Sequence, residues 1–315
     1  MPVFKIYHVT KYNYTRPVKE SLNEIKIYPY QNHEQEVLNH ELNISFFPEA
    51  LLYIDYWGNR VGSFSIQAPH TELVIESKVT VRTLAPTQLK INFHSGFQQL
   101  ETEINDELYL LELSAIETIK SQPFINEVAA SLYNADKPVA LVVEECCQYI
   151  FKQFKYIKGI TNIETTIDEI VEQKAGVCQD FAHVLLQVLR SMKIPSRYVS
   201  GYICPNKNGM RGEGATHAWV EAWIPAYGWA GIDPTNNVWV TGNHVKLAVG
   251  RNFHDCTPVK GTFKGPAKQT LSVYVSVGYE DGHVFEEMNN VQMEPLETST
   301  AELAFDENFA GQQQQ

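Results

Sequence analysis

A thiol, an imidazole and a carboxylate occur in that order along the chain. Cys178 lies in Ala-Gly-Val-Cys-Gln-Asp-Phe-Ala (175–182), His217 in Thr-His-Ala-Trp-Val-Glu (216–221) and Asp233 in Gly-Ile-Asp-Pro-Thr-Asn (231–236). The local patterns put Cys178 at a helix start, His217 at a strand start and Asp233 at the end of the next strand. Such a set supplies a nucleophile, a base and a group to orient the base, which is the equipment for attacking an amide through an acyl-enzyme. Free backbone N–H groups and the dipole at a helix start favour a thiolate. Gly176 lets the chain approach closely there. Pro234 holds Asp233 extended, where its carboxylate can accept the second imidazole N–H and fix the tautomer. Each feature alone has a plainer reading: a buried structural cysteine, one histidine among ten, an Asp-Pro turn. The conjunction of the three points to catalysis.

The elements that must hold these groups follow from periodicity. Residues 139–155 and the segment opening at Cys178 have the helical period, the second with Phe181, Val184, Leu185, Val188, Leu189 and Met192 on one stripe. Strands are expected at Arg197–Ile203, 217–224 and Trp229–Ile232. In the His217 strand, Ala218, Val220 and Ala222 form a small apolar face. His217, Trp219 and Glu221 share the other, so Trp219 is a candidate to line a substrate cleft. His183 lies five residues beyond Cys178, about 140° around the helix, and receives no role. Asp180 would raise the thiol pKa if it faced Cys178, so it is assigned to capping the helix or tying down a loop.

Residues 1–88 read as a β domain of short strands separated by turns, with a clean alternation over Leu73–Thr83. Residues 89–255 are assigned to the catalytic core with linker helices, and 256–290 to a strand region that can return to pair with the N-terminal sheet. Residues 291–315 form an acidic tail expected to be disordered. Of the net charge of −12, eight negative charges come from residues 281–315, which contain no Lys or Arg. The body is therefore near neutral and has no basic stripe for nucleic acid. No apolar run approaches membrane-spanning length, and no signal peptide is evident. Five cysteines without a C-x-x-C pair argue against a zinc site and for free thiols in a reducing, cytoplasmic setting. No metal or cofactor is expected.

The segments Gly176-Val-Cys178-Gln-Asp180-Phe-Ala182, Ile194-Pro-Ser-Arg197-Tyr-Val-Ser-Gly201-Tyr202, His217-Ala-Trp219-Val-Glu221 and Gly231-Ile-Asp233-Pro-Thr-Asn236 resemble the transglutaminase-like superfamily, in particular its bacterial cysteine-protease branch. Asp55-Tyr-Trp-Gly58-Asn59 and Pro69-His70 resemble the β domain that precedes the core in that branch. The resemblance implies an α+β fold: a papain-like transglutaminase core after an N-terminal β-sandwich-like domain. It also implies a Cys178–His217–Asp233 triad with no member replaced.

The Cys178 backbone N–H is a natural oxyanion donor, and Tyr156 is the candidate for the second. The expected activity is hydrolysis of an amide in a peptide or protein substrate. Transfer of the acyl group to an amine and a non-catalytic peptide-binding module remain as alternatives. A Cys/His metal protein is a third class, but the separations match no zinc-ligand spacing. Trp219, Trp223 and Trp229 are the candidate walls for excluding water, and Glu221 is the nearest acid that could recruit a lysine ammonium. The sequence leaves the oligomeric state open.

Overall fold

The computed structural model describes residues 2–84, 90–162, 165–204, 210–212, 215–280 and 284–287. The first strands are β1 (Val3–Val18), β2 (Glu20–Ile25), β3 (Gln35–Ile44), β4 (Leu51–Ile54), β5 (Arg60–Ile66) and β6 (His70–Thr83). A helical stretch follows: α1 (Phe97–Asp106), α2 (Leu108–Leu113), α3 (Gln122–Leu132) and α4 (Val139–Gln153). Next come β7 (Lys155–Tyr156), α5 (Ile167–Gln173), β8 (Ala175–Gly176) and α6 (Cys178–Ser191). Then come β9 (Ser196–Ile203), β10 (Thr216–Ile224), β11 (Gly228–Asp233), β12 (Val238–Trp239) and β13 (His244–Gly250). The chain closes with α7 (Phe253–Cys256), β14 (Val259–Lys264), β15 (Gln269–Tyr279) and β16 (Val284–Glu287). The acidic tail lies outside the described residues.

The fold is α+β. The N-terminal strands form two antiparallel sheets, ordered β16-β15-β1-β6-β3 and β14-β2-β5-β4. Both are completed from the far end of the chain: β15 pairs along β1 from Phe4↔Tyr279 to Tyr14↔Gln269, and β14 pairs with β2. The two sheets share an apolar cluster that includes Val18, Leu73 and Ile75 from one and Ile25, Phe64 and Ile66 from the other. The period-2 pattern of β6 carries its buried face onward. Leu73 and Ile75 enter that cluster, whereas Val79 and Val81 join Phe4, Ile6, Tyr202, Val245 and Leu247 in a second one. One face of one strand thus serves two cores.

The central sheet is ordered β12-β11-β10-β9-β13. Ala218, Val220 and Ala222 of β10 face the helical core, where Phe181, Leu185 and Leu189 of α6 meet them. The single stripe expected of α6 understates its burial, since Ala182, Leu186, Gln187 and Arg190 are enclosed too. Arg190 directs its guanidinium to the carbonyls of Ser196 and Arg251.

The opposite side of the sheet is covered by the N-terminal domain. Its edge strand β13 would present bare backbone groups, and two side-chain amides close them. Gln35 donates to the Lys246 carbonyl at 2.9 Å and accepts the Lys246 N–H at 2.8 Å. Asn59 does the same at Val249, at 2.8 Å in both directions. Asn59 sits in a tight turn whose Asp55 accepts its backbone N–H and side-chain amide. Gly58 in that turn has a φ of 86°, a left-handed conformation that suits glycine. The Asp55–Asn59 motif therefore works as a clasp on the central sheet.

Replacing Asn59 with Leu strands two buried backbone groups on Val249. The expected loss is about 2 to 5 kcal/mol, read as a lower urea midpoint at unchanged slope. A loss under about 1 kcal/mol would show that water takes over both bonds.

Candidate active site

Cys178 opens α6 behind an extended Val177, whose N–H is taken by Asp180 Oδ2 at 2.7 Å. The same oxygen accepts from Thr161 Oγ1 at 2.6 Å. Asp180 thus caps the helix and ties down the loop before it. Burial pushes its carboxyl pKa up, against these two bonds. Gly176 makes room for that side chain: a Cβ there would lie 2.4 Å from Asp180 Oδ2. Of the five thiols, Cys178 alone is partly exposed; Cys146, Cys147, Cys204 and Cys256 are buried. Burial raises the pKa of all four.

His217 lies opposite Gly201 in the ladder between β10 and β9. Its Nε2 meets Asp233 Oδ2 at 2.8 Å, with both side chains fully enclosed. A carboxylate only accepts, so the proton sits on Nε2 and leaves Nδ1 free to take another. Nδ1 is buried without a hydrogen-bond partner among the described residues. Cys178 lies close enough to act on the imidazole's charge. Burial alone would lower the His217 pKa; Asp233 and then Cys178 reverse this and raise it well above its ordinary value.

Asp233 ends β11 and has no exposed surface. Its Oδ1 accepts from the Thr235 N–H at 2.8 Å, and its Oδ2 accepts from Asn236 Nδ2 at 2.8 Å as well as from His217. Burial would raise its pKa, but His217 and His244 hold it far below the carboxylate range. His244, on β13, is a partner that the sequence reading missed: its Nε2 stands 3.2 Å from Oδ2. The available signal was the apolar run His244–Gly250 following Thr-Gly-Asn (241–243), which reads as a strand after a turn. The ligand-type atoms of His217, Asp233 and His244 lie within 4.8 Å of one another. Hydrogen bonding of both Nε2–H groups to one oxygen accounts for that convergence.

Tyr156 comes beside the Cys178 approach, because β7 pairs with β8 as Tyr156↔Gly176. Its ring packs on Phe181, and burial followed by the Cys178 charge raises its pKa. Segment 210–212 is also tied to the site. Arg211 exchanges backbone bonds with the Asn236 amide and lies over the Phe151 ring at 4.5 Å. The remainder of the loop, 205–209 and 213–214, lies outside the described residues.

Three expectations are corrected. Trp219 does not line a cleft. It is fully buried beside Val199 and Val249, under Tyr30 and Trp57 of the N-terminal domain. A side chain at Gly201 would strike its ring. Trp223 and Trp229 meet edge-to-face at 5.3 Å, and six strand residues place Trp223 about 20 Å from His217, too far to wall the site. Glu221 is not free to recruit an ammonium, since it already pairs with Arg197 at 2.7 Å and with Lys246. His183, given no role, accepts the Phe253 N–H and packs against Tyr198.

The Glu221 cluster has a pH signature. Burial would raise its carboxyl, but Lys246 and Arg197 hold it down at about 2. The folded value lies below the ordinary 4.5, so the contribution is complete above that pH and is lost as pH falls toward 2. Glu221→Gln is expected to cost about 3 to 5 kcal/mol at pH 7 and to flatten the acid limb of stability below pH 4.5. A variant with the wild-type limb would show that another group drives acid unfolding.

Comparison with known proteins completes the picture. Residues 126–234 match the model of the transglutaminase-like superfamily core, and residues 4–82 match the bacterial transglutaminase-like N-terminal region. An uncharacterized protein of Mycobacterium leprae is 34% identical over 278 residues, covering 87% of this chain and 97% of the relative. A protein-glutamine gamma-glutamyltransferase of Pseudomonas aeruginosa is 32% identical over 109 residues, 32% of this chain and 16% of that protein. A solved structure of a candidate cysteine protease from Cytophaga hutchinsonii superposes with a TM-score of 0.69 at 20% identity. It covers 92% of this chain and 96% of that one, a likeness of fold.

Proposed function

This chain belongs to the transglutaminase-like superfamily, and on that footing we propose that it is a cysteine-dependent amide hydrolase acting on a peptide or protein. One observation carries the reading. The chain's only partly exposed thiol stands at a helix start, facing an imidazole whose far nitrogen is held by a buried carboxylate. Cys178 Sγ, its proton already held on His217 Nδ1, attacks the amide carbonyl as a thiolate. The Cys178 backbone N–H, with Tyr156 as the second contributor, faces the developing oxyanion. The C–N bond breaks as His217 returns the proton to the leaving amine, leaving a thioester on Cys178. Water, deprotonated by His217, then releases the acid and restores the thiol. Asp233 holds Nε2–H throughout and supports the imidazolium.

Transfer to an amine uses the same thioester. It requires water to be excluded and an amine to be held. The tryptophans that would form such walls are engaged elsewhere, and Glu221 is neutralised, so hydrolysis is the favoured fate.

Iodoacetamide near neutral pH should label Cys178 first, followed by mass spectrometry of all five thiols. Preferential modification of Cys204 or Cys256 would remove the triad. Asp233→Asn should keep the fold and lower turnover about a thousandfold or more, since the wrong tautomer is favoured; a wild-type rate would strike Asp233 from the mechanism. Partitioning a peptide amide with and without millimolar primary amine decides the reaction. Dominance of the amine adduct would make the chain a transferase.

A further inference from the structure

Holding the His217 tautomer takes one acceptor, Asp233, and one bond. Asp233 Oδ2 nevertheless receives a second imidazole. His244 is itself fully enclosed, and its ring meets Trp219 edge-on at 5.1 Å and lies 5.9 Å from the His217 ring. We propose that His244 is a positioning residue for the thiol–imidazole pair: an uncharged imidazole whose Nε2–H fixes the direction of the Asp233 carboxylate and moderates its field at His217. This inference rests on the thiol chemistry proposed above.

Neutrality follows from the surroundings. Two imidazolium rings this close would share a single carboxylate, a like-charge pair in a dry site. Burial lowers the His244 pKa and His217 lowers it further, outweighing Asp233. The charged groups that act on His244 are Asp233 from the end of β11 and His217 from β10. Lys246, two residues along its own strand, is paired with Glu221 and Glu34. Position is equally constrained. The His244 N–H bonds to the Thr241 carbonyl, β13 pairs with β9 on one edge, and Gln35 and Asn59 clasp the other. The ring therefore reaches Asp233 from a strand that the N-terminal domain holds in place.

The consequence has a definite sign. Each N–H on Oδ2 offsets part of the carboxylate's negative potential. Removing one leaves more of that potential to hold the imidazolium proton, so His217 should lose the proton at a higher pH.

The test measures the iodoacetamide rate constant of Cys178 from pH 5 to 11.5 in wild type, His244→Phe and His244→Gln, with a thermal melt of each. Wild type should react faster than the buried thiols below pH 7 and show an upper step where His217 loses its proton. In His244→Phe that step should move up by about half a pH unit, the scale of one neutral hydrogen bond. In His244→Gln, which restores an N–H near the old Nε2, it should return to the wild-type position. Should His244→Phe give no cooperative melt, His244→Leu takes its place. A wild-type Cys178 no faster than the other thiols overturns the proposed chemistry itself. A reactive wild type whose step is unmoved in the apolar variant, or whose shift Gln does not reverse, overturns the role of His244 alone.

Discussion

A carboxylate with no exposed surface organises this molecule. Ionised and alone, Asp233 would cost several kcal/mol in such a place. Four donors offset that cost: the Thr235 N–H, the Asn236 amide and two imidazoles. They come from the turn after β11, from β10 and from β13. A single charge therefore fixes the mutual placement of three segments and fills the acceptor positions of its own side chain. The helix bearing the thiol is set by a second buried acid, Asp180, which caps its own helix start. Two carboxylates thus locate the thiol and the imidazole independently, and the apolar contact of α6 with β10 brings them together.

The same sheet explains the attachment of the β domain. A strand such as β10, buried on both faces, needs a second layer on each side. The helices supply one, and Tyr30, Trp57 and the Phe4–Val81 cluster supply the other. Between the layers lie Glu221, Arg197 and Lys246, whose charges balance once Glu34, the second partner of Lys246, is counted. Gln35 and Asn59 complete the arrangement by serving as a substitute strand along β13.

Much of this was legible in the sequence. The helical stripe behind Cys178, the alternation of β6 and the split faces of β10 are local patterns, and local patterns survive folding. What lay on the polar-looking face of β10 was not legible. Trp219 and Glu221 suggested a cleft because alternation distinguishes two faces without saying what covers either. The cover is Tyr30 and Trp57, about 160 to 190 residues upstream. His244 escaped notice for a related reason. Its strand pairs with β9 rather than with the preceding β12, and periodicity carries no information about strand order.

The order of strands in the outer sheets has a consequence for how the chain reaches this state. Phe4 pairs with Tyr279, and Leu22 with Thr262. The transglutaminase-like core is thus an insertion between the opening and closing strands of another domain. During synthesis, β1 and β2 must wait with an unpaired edge until residues near 264 and 279 have emerged. Contacts of such long sequence separation make folding slow, and waiting edges invite pairing between chains. The core, rich in helices and near-neighbour strands, can condense first and hold the two ends within reach. The clasp on β13 would then form last, when the late strands close the domain whose amides make it.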